Sequence, residues 1–435
     1  MSMNIKKACI YTLGCKVNSF ESEGIESILK LNGYEIVNAK SVADLYVINT
    51  CSVTNQADVK SRKVIHQCHK LNDKAIIVVM GCYSQAKAEE VANIEGVSIV
   101  LGTINKEYIL DYIKEYLDTN KQVIKIFNPR NIDFFDKIKV QEFNKHTRAS
   151  LKIQDGCNNF CSYCIIPYTR GKLRSKKRED VLAEAKELVQ NGYNEIVLNG
   201  IHTGGYGVDF KDYNFSDLID ELVQIEGLKR LRISSIEMHE LTDRILTHAK
   251  NKNVIVDHFH IPIQSGSNEI LKKMNRKYNL NEFIDKINHI KEFVPNVAIT
   301  TDVIVGFPGE TEELFMETYK TLKTLEFANL HVFPYSARAN TPAAKMPMQI
   351  PGDVKKKRVE KLINLSKSLF YNYASKFENE TLSILFEKYE DGKLYGHTTN
   401  FIYGYVEATD DALVNEIKDV KLIKFDYDNS KFELI

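Results

Sequence analysis

The sequence predicts an α/β protein with three parts: an N-terminal parallel sheet, a central partial barrel of six strand–helix units, and a small C-terminal β-barrel. Strands alternate with helices in residues 1–117, and the alternation repeats six times in residues 143–372. Short strands separated by Asp, Gly and Asn fill residues 375–435. Alternation favours parallel sheets, whereas closely spaced short strands favour a small barrel. These three ranges are the predicted domains.

Composition narrows the class of protein. The 435 residues carry 58 basic and 58 acidic side chains, so total charge indicates no particular partner. Eight cysteines are too few for a disulfide scaffold in a chain of this length, and a reducing compartment leaves thiols available for metal. Residues 1–10 lack the apolar core of a signal peptide, and the apolar run at 75–80 is too short to span a bilayer. We therefore expect a cytoplasmic protein with no membrane partner.

Three cysteines follow predicted strands of the N-terminal sheet. The strands are expected at 8–13, 44–49 and 75–80, and the cysteines are Cys15, Cys51 and Cys82. Because parallel strands end at one edge of a sheet, an open flavodoxin-like sheet would bring the three thiols together where such sheets bind ligands. The alternative is that they are ordinary small buried residues, the role we expect for Cys9 and Cys68.

Three more cysteines, Cys157, Cys161 and Cys164, follow the first predicted strand of the barrel. Their spacing fits three corners of an iron–sulfur cube and leaves the fourth iron without a protein ligand. A structural zinc site would need a fourth cysteine or histidine, and the next twenty residues contain neither. An iron left open in this way can bind a substrate.

These motifs together identify a family resemblance. The run from Cys157 to Cys164, with Tyr163 before its last cysteine, resembles the signature of radical S-adenosylmethionine (SAM) enzymes. Combined with LGCKVN at 13–18, NTCSVT at 49–54 and GCY at 81–83, it resembles the radical SAM methylthiotransferases over nearly the whole chain.

The resemblance implies two 4Fe-4S clusters, one on each set of three cysteines. The cluster on Cys157, Cys161 and Cys164 would bind SAM, whose reductive cleavage gives a 5'-deoxyadenosyl radical. The cluster on the N-terminal cysteines would carry or receive the sulfur. The protein would then need an electron donor and a sulfur donor as partners.

Within this family, Lys16-Val17-Asn18 resembles the branch that methylthiolates carbon 2 of N6-threonylcarbamoyladenosine at position 37 of tRNA, in the anticodon stem-loop. Two related activities are the alternatives: methylthiolation of isopentenyladenosine in tRNA, or of a ribosomal-protein aspartate. A further alternative is an iron–sulfur or zinc protein that binds RNA without catalysis.

The ends of the barrel strands carry polar or glycine-rich segments, several of which we expect to contact SAM. The predicted contacts are Tyr163, Gly200, Ser235, Glu237, Gln264, Phe333 and Tyr335. The alternative for each is a turn or helix-cap role. We expect His202, His260 and His331 to pack or hydrogen-bond rather than to bind metal.

A basic run follows the second cysteine set and is a candidate RNA contact. Its members are Arg170, Lys172, Arg174, Lys176, Lys177 and Arg178. Contacts to phosphate supply much of the affinity of proteins for nucleic acid, so this run could guide tRNA to the barrel mouth. The alternative is an ordinary solvated face.

The C-terminal segment at 396–401 resembles part of the RNA-binding TRAM domain. Residues 375–435 nevertheless hold thirteen acidic and seven basic side chains, a poor balance for a general polyanion binder. The domain is expected either to contact RNA through a local face such as Lys393, Tyr395 and Phe401, or to brace the barrel.

Overall fold

The computed structural model describes residues 7–140, 147–426 and 431–435. The chain divides into two compact units rather than three. The first contains Met1–Asn144, Gln154–Arg174 and Ser336–Ala344, and the second contains Lys145–Ile153, Ser175–Tyr335 and Lys345–Ile435. The loop with Cys157, which the sequence places in the central domain, therefore belongs to the same unit as the N-terminal sheet.

The first unit is built on six parallel strands in the order β2-β1-β3-β4-β5-β6. The strands are β1 Lys7–Thr12, β2 Glu35–Val37, β3 Leu45–Thr50, β4 Ile76–Gly81, β5 Val97–Leu101 and β6 Val123–Lys125. The helices are α1 Lys16–Leu31, α2 Asn55–Leu71, α3 Cys82–Ala86, α4 Ala88–Ala92 and α5 Ile109–Thr119. Every residue of β3 and β4 is buried, as expected for central strands covered on both faces. The predicted flavodoxin-like sheet is confirmed, and β6 extends it beyond residue 117.

The second unit contains the partial barrel. Its parallel strands are β7 Arg148–Lys152, β10 Glu195–Asn199, β11 Arg230–Ile233, β12 His258–His260, β13 Ala298–Val305 and β14 Asn329–Pro334. Between β7 and β10 the chain forms β8 Gln154–Asp155, α6 Ile166–Thr169, β9 Arg174–Ser175 and α7 Arg178–Gln190. The other helices are α8 Phe215–Leu222, α9 Asp243–Lys250, α10 Asn268–Lys273, α11 Leu280–Phe293, α12 Glu312–Leu325 and α13 Gly352–Ala374. Bridges from Leu231 to Ile255 and from Ser235 to His260 join the two three-stranded halves. The six predicted strands are confirmed.

The two faces of the curved sheet differ in burial, as β13 shows. Thr301, Val303 and Val305 are fully buried, whereas the alternate residues Asp302 and Ile304 are partly exposed. Alternate residues of a strand point to opposite faces. The buried face packs under the covering helices, and the other face lines the inside of the curved sheet, which we call the lumen.

A closed five-stranded barrel completes the second unit, as predicted. Its strands are β15 Thr381–Glu390, β16 Lys393–Thr398, β17 Tyr403–Glu407, β18 Ile417–Asp426 and β19 Lys431–Leu434, in the order β15-β16-β17-β19-β18. Its core, including Ile384, Phe386 and Phe432, is continuous with Tyr373 at the end of α13 and with nearby Phe377. None of the helices in the described ranges is long and apolar enough to cross a membrane.

The loop between β16 and β17 closes the amino-terminal end of the lumen. The ring of Phe401 stacks on His258, with 4.8 Å between ring centroids, and on His397, at 4.4 Å. The guanidinium groups of Arg232 and Arg148 lie 4.9 and 5.6 Å from the same ring. Side chains of β7, β11, β12 and β16 therefore contact the Phe401 ring, which agrees with the bracing alternative. Contact of Phe401 with RNA stays a prediction.

Candidate metal centres

The first unit brings the three N-terminal cysteines together. Cys15 follows β1 and caps α1, Cys51 follows β3, and Cys82 opens α3 after β4. A Cβ atom placed on Gly14 would lie 2.7 Å from Cys51 Cβ and 3.1 Å from its Sγ. The negative charges of the three thiolates would interact with one another, and all three cysteines are free of disulfides. The expected convergence at the carboxyl edge of the sheet is therefore observed.

Two glycines make this convergence possible. Gly14 and Gly81 directly precede cysteines and have φ angles of +116° and +103°, which L side chains rarely adopt. A Cβ atom on Gly81 would also lie 2.6 Å from both the Asn49 Oδ1 and the Thr50 carbonyl oxygen. Both the backbone angle and the lack of space therefore require glycine before Cys82.

We expect Gly81→Ala to remove the metal from this centre, because the added methyl group would collide with the Thr50 backbone and displace Cys82. Iron content after anaerobic reconstitution should fall from about eight to about four per chain, measured by colorimetric iron assay. Gly33→Ala is the matched control, since Gly33 also has a positive φ (+84°) but no heavy atom lies within 4 Å of its added Cβ. Equal iron in the two variants would contradict the prediction.

Burial shapes the acidity of these thiols. Cys51 and Cys82 are 4% and 3% exposed. Burial raises the pKa of Cys51 to about 12, with a further contribution from the neighbouring Cys82. Burial also raises the pKa of Cys82, against the opposing effect of the Arg170 guanidinium. The ligand form of cysteine is the thiolate, so these sulfurs need a metal or a cation beside them to ionise.

Arg170 is the cation that faces this centre, and it is fully buried. Its Nη1 donates to Glu21 Oε1 at 2.8 Å and to Asp155 Oδ2 at 3.1 Å, and its Nη2 donates to Asn18 Oδ1 at 2.8 Å. Lys106 Nζ reaches the same Glu21 oxygen at 3.0 Å. Arg170 lies six residues after Cys164, so it ties the second cysteine loop to the helix that starts beside Cys15.

Asn18 organises two of the cysteine loops. Its Nδ2 donates to the carbonyl oxygens of Leu13 at 2.8 Å and Thr50 at 3.0 Å, which precede Cys15 and Cys51. The sulfur of Cys15 lies 3.8 Å from Asn18 Oδ1. Asn18, the last residue of the Lys16-Val17-Asn18 motif, therefore makes these contacts within the metal centre.

Arg338 is a further part of the centre that sequence analysis did not identify. Its Nη2 donates to Ser52 Oγ at 2.6 Å and to Asp58 Oδ2 at 2.8 Å, and its Nη1 donates to Asn55 Oδ1 at 2.7 Å. These bonds hold the segment that follows Cys51. A single arginine more than 280 residues away along the chain carries no local pattern by which it could have been found.

The second cysteine set lies on a loop held by backbone hydrogen bonds. Cys157 N–H donates to the Gly171 carbonyl at 3.1 Å, and Cys164 N–H donates to the Cys161 carbonyl at 3.0 Å. The N–H of Asn159 lies 3.4 Å from Cys157 Sγ, where it stabilises a thiolate. All three cysteines are partly exposed, in contrast to the buried Cys51 and Cys82.

Both cysteine sets fit a cluster rather than a single ion. Among the described residues, two groups bring three ligand atoms within 4.8 Å of one another, and neither contains a cysteine. They are His260, Asp302 and His331 in the second unit, and Glu21, Asp136 and Asp155 in the first. Three cysteines in each set, rather than four ligands, suit an iron–sulfur cube that keeps one iron open.

The residues predicted to contact SAM occupy separate positions in the two units. In the first unit, Tyr163 is partly exposed beside its cysteines. In the second, Gly200 follows β10, Ser235 is exposed after β11, and Gln264 follows β12 with a φ angle of +62°. Glycine or polar residues at strand ends agree with the prediction, but their contacts with SAM stay a prediction.

The other three predicted contacts differ in exposure. Phe333 is 45% exposed on β14, in register with Ile304. Tyr335 is only 4% exposed and packs edge-on against Phe307, with 5.4 Å between centroids. Glu237 accepts a hydrogen bond from Arg276 Nη2. Phe333 is thus the most accessible of these three side chains.

The basic run does not form one exposed stripe. Arg170, Arg174 and Lys176 are buried, at 0%, 4% and 6% exposure. Arg170 is surrounded by carboxylates, Arg174 donates to the Arg170 carbonyl at 2.9 Å, and Lys176 pairs with Glu184. The prediction that these three contact RNA is therefore wrong, because their charges are used inside the protein.

The remaining members, Lys172, Lys177 and Arg178, are exposed. Lys172 pairs with Asp133, and Arg178 pairs with Glu221 at 2.6 Å. Surface ion pairs of this kind are weak, so these side chains can still reach a phosphate. Their contact with RNA stays a prediction.

Comparison with known proteins agrees with this geometry. The family model of the radical SAM superfamily matches residues 151–322, and the model described as uncharacterized protein family UPF0004 matches residues 7–102. A solved structure of the radical SAM methyltransferase TsrM from Kitasatospora setae has a TM-score of 0.58 at 14% identity, covering 79% of this chain and 77% of that one. This last likeness concerns the fold alone.

The partial barrel, the cysteine loop and the superfamily match define a radical SAM enzyme. The chain is 48% identical to the Bacillus subtilis threonylcarbamoyladenosine tRNA methylthiotransferase MtaB over 96% of its length and 94% of that protein. The Aquifex aeolicus MtaB is 39% identical, over 87% of this chain and 92% of its own. A Clostridium tetani tRNA-2-methylthio-N(6)-dimethylallyladenosine synthase is 36% identical, over 95% and 93%. The chain therefore belongs to the radical SAM methylthiotransferase family.

The cofactors of this family are SAM and two 4Fe-4S clusters, and this chain provides two sets of three cysteines that fit them. The reading of the chain as a zinc or iron–sulfur protein without catalysis is set aside, because both the superfamily match and the full-length relatives are those of an enzyme.

Proposed function

We propose that this protein transfers a methylthio group to carbon 2 of N6-threonylcarbamoyladenosine at position 37 of tRNA. The observation that carries the proposal is the 48% identity, over 96% of the chain, to a relative named for that substrate. The relatives named for dimethylallyladenosine are 36% identical over a similar length. The Lys16-Val17-Asn18 motif supports the same branch.

The polar lumen of the barrel gives independent support. Its face carries His260 on β12, Asp302 on β13 and His331 on β14. A threonylcarbamoyl group brings a carboxylate and a hydroxyl that can pair with such side chains. An isopentenyl group brings only carbon, so it would leave the open His331 Nε2 on β14 without a partner.

The two cysteine sets have different tasks in this reaction. Cys157, Cys161 and Cys164 would hold the cluster whose open iron binds SAM, and Cys15, Cys51 and Cys82 would hold the second cluster. The bound cofactors supply radical chemistry, which the reaction needs because the hydrogen on adenine carbon 2 is not acidic. The chain itself positions the cysteines of each set, keeps Arg170 and its carboxylates beside the N-terminal set, and presents polar side chains in the lumen.

The partners follow from the proposed reaction. The substrate is the anticodon stem-loop of tRNA, and turnover needs an electron donor and a sulfur donor. Lys172, Lys177 and Arg178 are the exposed cations of the basic run that remain available to contact its phosphates. A cytoplasmic location is part of this proposal, because the proposed substrate is tRNA.

We expect the reconstituted enzyme to methylthiolate a stem-loop that bears threonylcarbamoyladenosine at least about a hundredfold faster than one that bears isopentenyladenosine, because a site built for polar groups rejects an analogue that lacks them. Mass spectrometry of digested RNA measures both products. Preference for the isopentenyl form would assign the protein to the dimethylallyladenosine branch. Activity on neither RNA but on a ribosomal-protein aspartate would assign it to the protein-modifying branch.

A further inference from the structure

Three side chains on neighbouring strands form a cluster in the lumen, which we call the lumen triad: His260 on β12, Asp302 on β13 and His331 on β14. His260 Nε2 lies 3.2 Å from Asp302 Oδ1, and His331 Nδ1 lies 3.4 Å from the same oxygen. The two imidazole rings stack with their centroids 5.1 Å apart. One carboxylate thus orients two histidines on the face that lines the lumen.

The two histidines differ in what they can offer a ligand. His260 is only 14% exposed, and its Nδ1 lies 2.9 Å from Thr300 Oγ1, so both of its nitrogens have partners. His331 is 50% exposed. Its Nε2 makes no hydrogen bond within the part of the chain that the structure describes. His331 Nε2 is therefore the nitrogen of the triad that is open to the lumen, while Asp302, whose side chain is 29% exposed, contacts both histidines through its Oδ1.

Asp302 makes this arrangement stable. Burial alone would raise the pKa of Asp302, but hydrogen bonds from His260 and His331 outweigh burial and hold that pKa well below its usual value. A carboxylate that accepts the Nδ1 hydrogen of a histidine fixes the ring with its Nε2 directed away. The carboxylate thus prepares His331 to meet a group that arrives from the lumen.

The triad lies between an aromatic layer and a closed end. Phe333 follows His331 by two residues on β14, on the same face, and is 45% exposed. At the rise of a strand, this places it about 7 Å nearer the carboxyl-terminal mouth. At the other end, Phe401 fills the lumen against His258 and Arg232. A ligand entering from the mouth meets an aromatic ring first, then the triad, then a closed end.

We propose that the lumen triad binds the polar substituent on N6 of the substrate adenosine, with His331 carrying a hydrogen on both ring nitrogens and donating from Nδ1 to Asp302 and from Nε2 to the carboxylate of the substituent. This assignment rests on the proposed function, because it requires a substituent that carries an anionic group. It matches the layered lumen: the base lies at the level of Phe333, and its N6 substituent extends toward His331.

A divalent cation is the other occupant that these atoms could take, because two histidines and one carboxylate form a known ligand set for transition metals. The ring geometry favours the substrate. The rings are stacked and inclined by only 23°, so their in-plane nitrogen lone pairs run side by side. One ion bound by both nitrogens at about 2 Å needs lone pairs that converge on a single point.

The test uses two RNA stem-loops that differ only at position 37, where one carries threonylcarbamoyladenosine and the other carries unmodified adenosine. Fluorescence anisotropy measures the affinity of the cluster-loaded protein for each. The wild-type protein is expected to prefer the threonylcarbamoyl form. His331→Leu should weaken binding of that form by about tenfold or more and leave the unmodified form unchanged, because only one charge-assisted hydrogen bond is lost. His331→Gln, which keeps a donor, should restore part of the preference. His289→Leu on α11, whose histidine is also exposed, is the matched control.

An unchanged preference in His331→Leu would overturn the role of the triad and leave the proposed function intact, provided that the wild-type enzyme still modifies the threonylcarbamoyl form. Wild-type activity on the isopentenyl form alone would instead refute the proposed function. A third arm adds Mn²⁺ to protein treated with a chelator and follows it by electron paramagnetic resonance. Two results together would overturn the proposal in favour of a cation site. The wild-type protein would bind one Mn²⁺ per chain that His331→Leu does not bind, and its preference for the threonylcarbamoyl stem-loop would require that ion.

Discussion

Replacing Cys157 with alanine is expected to abolish reductive cleavage of SAM, because the remaining two cysteines cannot hold a cluster that keeps an iron open for it. Iron content after reconstitution should fall to about four per chain, from the N-terminal cluster alone. The rate of 5'-deoxyadenosine formation with dithionite as reductant measures the loss. No change in SAM cleavage would refute the assignment of this cysteine set.

Cys51→Ala provides the contrast. This variant should also lose about four iron per chain but retain SAM cleavage in the absence of RNA. The reason is that the cluster on Cys51 is assigned to sulfur transfer and not to formation of the 5'-deoxyadenosyl radical. Cys68→Ala controls for the loss of a buried thiol, because Cys68 lies in the hydrophobic core of the N-terminal sheet and away from both sets. Loss of all cleavage in a well-folded Cys51→Ala protein would show that the two clusters do not divide the work.

Arg170→Gln is expected to lower the free energy of unfolding of the metal-free protein by about 3–5 kcal/mol, because it leaves the buried carboxylates of Glu21 and Asp155 without their main partner. Urea titration followed by circular dichroism measures the change. The double variant Arg170→Gln with Glu21→Gln should recover part of the loss, because one uncompensated charge is then removed.

Arg178→Gln is the matched control for Arg170. It belongs to the same basic run but is exposed, and its bond to Glu221 is a surface ion pair, so its removal should barely change stability. Equal stability of the two variants would mean that the buried charges around Arg170 are not coupled as the structure indicates. If Arg170 behaved as an RNA contact, its replacement would instead weaken tRNA binding without destabilising the protein.

The sequence by itself determined the architecture and the two cysteine sets. Alternation of apolar strands and amphipathic helices is a local pattern, and the rule that parallel strands end at one edge converts that pattern into the convergence of Cys15, Cys51 and Cys82. Cys157, Cys161 and Cys164 lie within eight residues, so their spacing could be recognised without any knowledge of the fold. In both cases the information is local or follows from topology.

Tertiary structure alone decided which charged and aromatic side chains are available to a ligand. Arg170 and Lys177 look alike in the basic run, yet Arg170 is buried because Glu21, 149 residues earlier, and Asp155 surround it. The lumen triad likewise joins His260 and His331, 71 positions apart by their numbering, through one carboxylate. The physical reason is that a charge enters the interior only where partners compensate its desolvation, and those partners come from distant segments that no local pattern identifies.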